Sequence, residues 1–290
     1  MELGGEEFTY RALDGTMLSG RDYGRHLGSP CPLVCLPGLT RNVRDFDAVA
    51  RFLSDDHTAP RRVLSFDYRG RGRSQAAHDR TYTPQVEAND VLAGLVARDI
   101  REAAFLGTSR GGLLCMAFAV MRPGILKAVI LNDIGAVIHV GYLARLRDYI
   151  NDESVPPSWE EAETLLRRTF SESFTKLRDS DWQRVARQIY DSDKGRPAVA
   201  FDTALIKSLK GITGTSDPIP IWPYFQTLAK VPLLALRGAN SPLFDQTTLH
   251  AMVKSNRRME AYVAPDEGHA PLLWDRPVQD RIARFLEFHT

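Results

Sequence analysis

The chain has 290 residues, of which 43% are hydrophobic and 25% charged, so it is long enough to bury a core of ordinary size. Its 37 basic and 36 acidic residues leave a net charge of +1, which argues against a nucleic-acid partner. No apolar run reaches the length of about 18 residues that a membrane span needs, and the amino terminus lacks the pattern of a signal peptide.

The three cysteines, Cys31, Cys35 and Cys115, form an odd count without paired spacing, which indicates a reducing compartment. No cluster of histidines accompanies them, so we expect no metal site. The cysteines thus predict a cytoplasmic protein. We also expect a small-molecule partner, a monomer or homodimer, and no membrane partner.

The first half of the chain alternates between strand and helix patterns. The strands are predicted at residues 8–12, 17–23, 33–36, 63–66, 103–106 and 128–131, the first two joined by the hairpin signal Asp14-Gly15. Apolar residues at helical spacing predict helices at 46–53, at 84–96 and directly after residue 109. Buried strands that alternate with helices predict a parallel sheet covered on both faces.

This alternation breaks after residue 135, where the chain becomes charged, helical and rich in tryptophan. Candidate helices lie at 142–150, 158–171, 181–190 and 198–210, with no strand pattern between them. Strands at 231–236 and 259–263 and a closing helix at 278–288 resume the sheet. We therefore predict a core domain of residues 1–135 and 225–290, and a helical cap of residues 136–224 over the carboxyl ends of the strands.

The most informative motif is Gly107-Thr108-Ser109-Arg110-Gly111, which lies between a predicted strand and a predicted helix. This is the context of a nucleophile elbow, a turn so tight that glycines are needed on both sides of the serine. The strained backbone lifts the serine hydroxyl above the end of the strand. The motif predicts a nucleophilic Ser109, and the alternative is an ordinary turn in which Ser109 caps the helix.

A serine hydroxyl needs a base, and the best candidate is His269, which follows Gly268 in a loop before the last helix. An oxyanion needs two donors, and the backbone amides of Leu39 and Arg110 would supply them. Leu39 follows a predicted strand in a Pro-Gly turn, which in the absence of Ser109 would be read as a plain turn.

These residues together resemble the α/β-hydrolase superfamily, over about residues 8–288. The motifs Gly-Thr-Ser-Arg-Gly-Gly, Leu131-Asn132-Asp133-Ile134-Gly135 and Leu236-Arg237-Gly238 look like a bacterial branch with helical caps. The resemblance implies a mostly parallel eight-stranded sheet with helices on both faces, a cap insertion, and cofactor-free hydrolysis. It also implies that residues 67–74 are structural, with Asp67 and an arginine bonding the backbone near the oxyanion loop.

The acid that would orient His269 departs from this family pattern. The family usually places an aspartate three or four residues after the glycine at 238, where this chain has Ser241 and Pro242. Asp133, at the end of the preceding strand, is the preferred candidate, because some members of the fold carry the acid there. Asp245, a neutral orienter at Asn132, or no acid at all are the alternatives.

Other residues near the expected site have less defined roles. We read Asp266 and Glu267 as solvated loop charges. Trp222 and His139 are predicted to line the substrate pocket. The Arg110 side chain would either meet an anionic substrate group or pair with a carboxylate of the cap, and the second is favoured.

The function indicated by these residues is that of an esterase-like serine hydrolase that forms an acyl-enzyme. Hydrolysis of C–C bonds or lactones would use the same residues. The missing acid at the usual position leaves open a ligand-binding protein on this scaffold. A further alternative is cofactor-free oxygen chemistry, in which a His–Asp pair deprotonates an aromatic substrate.

Overall fold

The computed structural model describes residues 2–25, 31–55, 59–151, 155–209, 211–213 and 217–290. The strands are β1 (Glu6–Arg11), β2 (Met17–Tyr23), β3 (Leu33–Leu36), β4 (Val63–Asp67), β5 (Ala103–Thr108), β6 (Leu126–Asn132), β7 (Val137–Ile138), β8 (Asp191–Asp193), β9 (Arg196–Ala198), β10 (Ile219–Pro220), β11 (Leu233–Gly238) and β12 (Met259–Ala264). The helices are α1 (Asp47–Ser54), α2 (Pro84–Ala97), α3 (Arg110–Met121), α4 (Val140–Asn151), α5 (Trp159–Phe170), α6 (Asp179–Ile189), α7 (Trp222–Gln226), α8 (Gln246–Ser255) and α9 (Arg276–His289).

Eight of these strands form one sheet in the order β1-β2-β4-β3-β5-β6-β11-β12. The strands from β4 to β12 in this order run parallel, whereas β2 is antiparallel to both β1 and β4. Parallel neighbours need crossover connections, which the helices supply. The predicted fold, a mostly parallel eight-stranded sheet with helices, is confirmed.

Both faces of the sheet are buried, which explains why the central strands read as continuous apolar runs. In β3, Val34 and Leu36 pack into the core layer formed with α2, α3 and α8. Leu33 and Cys35 point into the opposite layer, formed with α1 and α9. The alternation of side chains along a strand therefore joins two hydrophobic layers through one sheet.

Between β6 and β11, the described residues add no strand to the large sheet. They form instead α4 to α7 and two small strand pairs, β7 with β10 and β8 with β9. We call residues 136–224 the cap segment. The boundaries at 136 and 224 stay a prediction, although β7 and β10 pair close to both of them.

Two predictions in the cap segment were wrong. Strands do occur there, and β8 and β9 form a hairpin whose turn residues Lys194 and Gly195 both have positive φ, as a type I′ turn requires. The helix expected at 198–210 is a short 3₁₀ helix, Thr203–Leu209, while Lys210 lies outside the described residues. The Ala200 carbonyl accepts a hydrogen bond from the Gly72 amide, 2.8 Å away. This contact with the core keeps the residues before Thr203 out of the helix.

The three cysteines are buried, and none of them forms a disulfide bond. Within the part of the chain that the structure describes, every helix is too short or too polar to cross a lipid bilayer.

The start of α3 passes unusually close to β3, and only glycine fits at the contact. A Cβ on Gly111 would lie 2.1 Å from the carbonyl oxygen of Leu36, far inside van der Waals contact. We expect Gly111→Ala to lower the free energy of unfolding by about 2–4 kcal/mol, because backbone on both sides must shift. Urea unfolding measures this loss.

Gly124→Ala is the matched control, because its Cβ would meet no atom within 4 Å and the residue is exposed. A Gly111→Ala protein as stable as the Gly124→Ala protein would contradict the expected clash.

Candidate active site

Ser109 stands in the turn between β5 and α3 in a left-handed conformation, with φ 51° and ψ −110°. Its amide donates to the Asn132 carbonyl at the end of the neighbouring strand, 2.9 Å away. The glycines are required here, since a Cβ on Gly107 would lie 2.4 Å from the backbone carbon of Gly111. The Ser109 side chain makes no capping bond to α3, so the alternative of an ordinary N-cap serine is wrong.

The imidazole of His269 is bonded to a buried carboxylate. Its Nδ1 lies 2.7 Å from Oδ2 of Asp133, whose side chain is fully buried, and the two residues are 136 positions apart in the chain. A carboxylate only accepts hydrogen bonds, so Nδ1 is the donor in this contact, and in the neutral ring this leaves the lone pair on Nε2. The edge of the Tyr142 ring, 5.1 Å away between centroids, packs against the imidazole. The histidine is therefore held in the tautomer that a general base requires.

Asp133 is fixed by the loop that follows β11. The Gly238 amide donates to its Oδ1 at 2.8 Å, and the Ser241 hydroxyl donates to its Oδ2 at 2.5 Å. Ser241, at the position where the family resemblance implies an aspartate, thus donates to Asp133 instead. In the sequence, Ser241 is only a departure from the family pattern. Its position after the strand was the signal that could have predicted its hydrogen bond to Asp133.

The other candidate acids have different partners. Asp245 caps α8 by accepting from the Thr248 amide at 2.6 Å, and its other oxygen lies 2.8 Å from Nε2 of His139. The Asn132 amide donates to Thr108 and to the Pro271 carbonyl, each at 3.0 Å. Neither residue bonds the His269 ring, whereas Asp133 does.

The loop after β3 is held from below by residues of the segment 67–74. The Tyr68 hydroxyl donates to the Pro37 carbonyl at 3.2 Å, and Arg71 Nε donates to the Leu39 carbonyl at 2.9 Å. The buried Asp67 accepts from the Val43 amide, and burial raises the pKa of its carboxyl to about 6. This arrangement matches the structural role that the family resemblance implies.

The Arg110 side chain is bonded to residues of the core. Its Nε lies 2.6 Å from Oε2 of Glu87 on α2, and its Nη2 donates to the Tyr82 carbonyl at 3.0 Å. The prediction of a cap carboxylate as its partner was wrong, because the carboxylate belongs to a core helix. The sequence did not indicate a role for Glu87, because it lies on the buried face of α2, among apolar residues.

Ser109 and His269 open into one cavity of about 490 Å³. Gly38 and Leu39 form part of its wall beside the serine. Most of the remaining wall is apolar and comes from the cap segment: Leu143, Leu146, Leu165, Phe170, Phe174, Leu177, Trp182, Val185 and Ile189. Such a cavity suits the hydrocarbon part of a small or medium substrate.

Trp222 and His139 do not line this cavity, so their assignment to the pocket is corrected. Trp222 packs edge-on against Phe225 at 5.7 Å between ring centroids, near the point where the cap segment rejoins the core. His139 is engaged with Asp245 instead. Both residues lie at the base of the cap segment, and the sequence could not show which residues the packing turns toward the serine.

Glu267, two residues before the histidine, is buried rather than solvated, which corrects the sequence-based interpretation. Its Oε2 accepts from the Leu272 amide at 2.7 Å, and burial raises the pKa of its carboxyl to about 7. The neighbouring Asp266 is paired with Lys176 and accepts from the Thr175 hydroxyl at 3.0 Å. Glu267 thus braces the loop that carries His269.

Comparison with known proteins shows the family of this chain. The model of the family described as "Alpha/beta hydrolase family" matches residues 33–283. A solved alpha/beta hydrolase from Novosphingobium aromaticivorans superposes with a TM-score of 0.88 at 33% sequence identity, over 99% of each chain.

Two curated proteins with named activities are also similar to this chain. The 3-hydroxybutyrate-oligomer hydrolase of Cupriavidus necator is 29% identical over 263 residues, which cover 88% of this chain and 87% of that protein. Esterase YbfF of Escherichia coli is 23% identical over 247 residues, or 82% and 85% of the two chains.

The raised pKa of Glu267 makes stability depend on pH. Between about pH 4.5, the ordinary value, and about pH 7, the unfolded chain loses this proton while the folded chain keeps it, so stability falls as pH rises. Glu267→Gln removes this dependence. We expect the variant to gain up to about 3 kcal/mol relative to wild type between pH 4.5 and pH 8, as measured by urea unfolding.

Asp266→Asn provides the control, because pairing with Lys176 lowers the pKa of that carboxyl. Its contribution to stability is therefore lost as pH falls, which is opposite in sign to the effect of Glu267. Parallel pH profiles for wild type and Glu267→Gln would show that the buried carboxyl does not titrate as the structure indicates.

Proposed function

Because the chain belongs to the alpha/beta hydrolase family, we propose that it is a serine hydrolase that cleaves an ester or a related acyl compound through an acyl-enzyme. The observation that carries the proposal is the 2.7 Å bond between His269 and Asp133, in a cavity that Ser109 shares with the histidine. Nucleophile, base and orienting acid are the three parts that such catalysis requires.

In the proposed reaction, His269 Nε2 takes the hydroxyl proton as Ser109 Oγ bonds to the acyl carbon. The tetrahedral intermediate collapses when the bond to the alcohol oxygen breaks, and His269 returns the proton to that oxygen. Water then attacks the acyl-enzyme with His269 as base, and the acid and free Ser109 are released. Asp133 stays ionised throughout and stabilises the imidazolium that forms in each half-reaction.

The oxyanion of both intermediates would be bound by the backbone amides of Leu39 and Arg110. Support for this role comes from the position of the two residues on either side of the nucleophile. Leu39 follows β3 and lines the cavity, and Arg110 is the first residue of α3.

The chemistry of the relatives suggests the substrate. A 3-hydroxybutyrate oligomer is a short chain of esters, and a protein 29% identical to this one is named as its hydrolase. The mostly apolar cavity of about 490 Å³ has room for the aliphatic acyl group of such an ester. We therefore propose short aliphatic esters, with hydroxyacid oligomers among them, as the first compounds to test.

The proposed roles predict different losses for four variants. We expect Ser109→Ala and His269→Ala each to lower kcat/KM for p-nitrophenyl butyrate by about 10³-fold or more. Asp133→Asn should cost at least about 10²-fold, because the histidine loses its orienting anion. Asp245→Asn is the matched control, since that carboxylate bonds a different histidine, and its activity should stay within about threefold of wild type.

A fluorophosphonate probe provides the second measurement, because it labels only an activated serine. Labelling of wild type and its loss in Ser109→Ala are expected. Full activity in Asp133→Asn would refute the assignment of the acid. A wild-type protein that neither labels nor hydrolyses any ester would refute the hydrolase proposal and favour a ligand-binding role.

A further inference from the structure

A fully buried carboxylate connects the two sides of the proposed oxyanion hole. Glu87 lies on the inner face of α2, and both of its oxygens face arginines. Its Oε1 lies 2.8 Å from Arg71 Nη2, and its Oε2 lies 2.6 Å from Arg110 Nε. The side chains of Glu87 and Arg71 have no exposed surface, so the ion pairs form out of contact with water.

One arginine of this group reaches the loop after β3. Arg71 Nε donates to the Leu39 carbonyl at 2.9 Å, and Arg71 Nη1 donates to the Arg69 carbonyl at 2.7 Å. The rings of Tyr68 and Tyr82 flank its guanidinium at 5.5 and 5.3 Å. The side chain therefore has little freedom, and its position fixes the peptide that follows Leu39.

The other arginine belongs to the nucleophile turn itself. Arg110 directly follows Ser109, and its side chain is only 11% exposed. Its two bonds, to Glu87 and to the Tyr82 carbonyl, tie the first residue of α3 to α2 and to the loop before it. Movement of Glu87 would thus be transmitted to the backbone that carries the second donor.

We infer that Glu87 is a positioning residue that sets the spacing between the Leu39 and Arg110 amides. This inference rests on the proposed function and names a part of the same site that touches no substrate. An oxyanion hole acts only when both donors lie about 3 Å from the oxygen, so a small displacement of either one lowers the rate. Burial of three charged side chains costs free energy. In this geometry the buried charges form a rigid link between the two donors.

The variant that tests the inference is Glu87→Gln, which keeps the shape of the side chain and removes its charge. The control is Asp22→Asn, since Asp22 is also a fully buried carboxylate between two arginines, Arg62 and Arg98. Asp22 pairs in register with Leu64, near the amino end of β4, and so lies at the edge of the sheet opposite Ser109. Both variants lose a buried charge, but only one loses the link between the donors.

We expect Glu87→Gln to lower kcat for p-nitrophenyl butyrate by about 10- to 100-fold with KM within about twofold of wild type. Asp22→Asn should lower the melting temperature as much and leave kcat within about twofold. Hexyl trifluoromethyl ketone provides a second readout, because Ser109 adds to its carbonyl, His269 takes the proton, and the resulting oxyanion occupies the hole. Its affinity should fall in Glu87→Gln by the same factor as kcat.

If Glu87→Gln does not fold, Arg110→Gln cuts the same link and keeps the backbone amide, with Arg98→Gln as its control. The same split between kcat and KM is then expected in Arg110→Gln alone. Equal losses of activity in a variant and its control, or a loss confined to KM, would overturn the inference. A wild-type protein without esterase activity would instead refute the proposed function, so the two failures are distinguishable.

Discussion

The site depends on one steric constraint, the close passage of the turn at Ser109 against the strands beside it. Glycine at 107 and 111 lets the start of α3 approach β5 and the Leu36 carbonyl of β3, and Ser109 is left in a left-handed conformation. Since β3 and β6 run parallel to β5 on either side, their carboxyl ends lie beside the serine. The loop with Leu39 and the acid Asp133 are thereby brought to the same edge of the sheet.

The position of the acid follows from the strand order. β6 lies between β5 and β11, so a carboxylate just after β6 is closer to the end of β5, where Ser109 follows, than one after β11. The loop after β11 still contributes, because Gly238 and Ser241 both donate to Asp133. Where the family resemblance implies an aspartate, this chain thus has a hydroxyl, on Ser241, that donates to Asp133.

Several buried carboxylates at this edge of the sheet hold loop backbone in place. Asp67 accepts from the Val43 amide, Asp133 from the Gly238 amide, and Glu267 from the Leu272 amide. Burial of a carboxylate costs free energy, and burial raises the pKa of Asp67 and Glu267. The loops around the cavity are therefore fixed by polar contacts whose strength depends on their isolation from water.

The sequence by itself determined the strands of the sheet, the turn at Ser109 and the histidine loop, because periodicity and glycine placement act over a few neighbouring residues. Only the tertiary structure decided that Asp133 rather than Asp245 meets His269, since the two partners are 136 residues apart and meet through strand order. The same holds for Glu87, Glu267 and Trp222, whose surroundings come from distant segments. It also holds for residues 198–202, where hydrogen bonds to the core replaced the start of the helix that the local pattern favoured. Adjacent residues determine the local backbone conformation, whereas the packing of distant segments determines the partner of a buried charge.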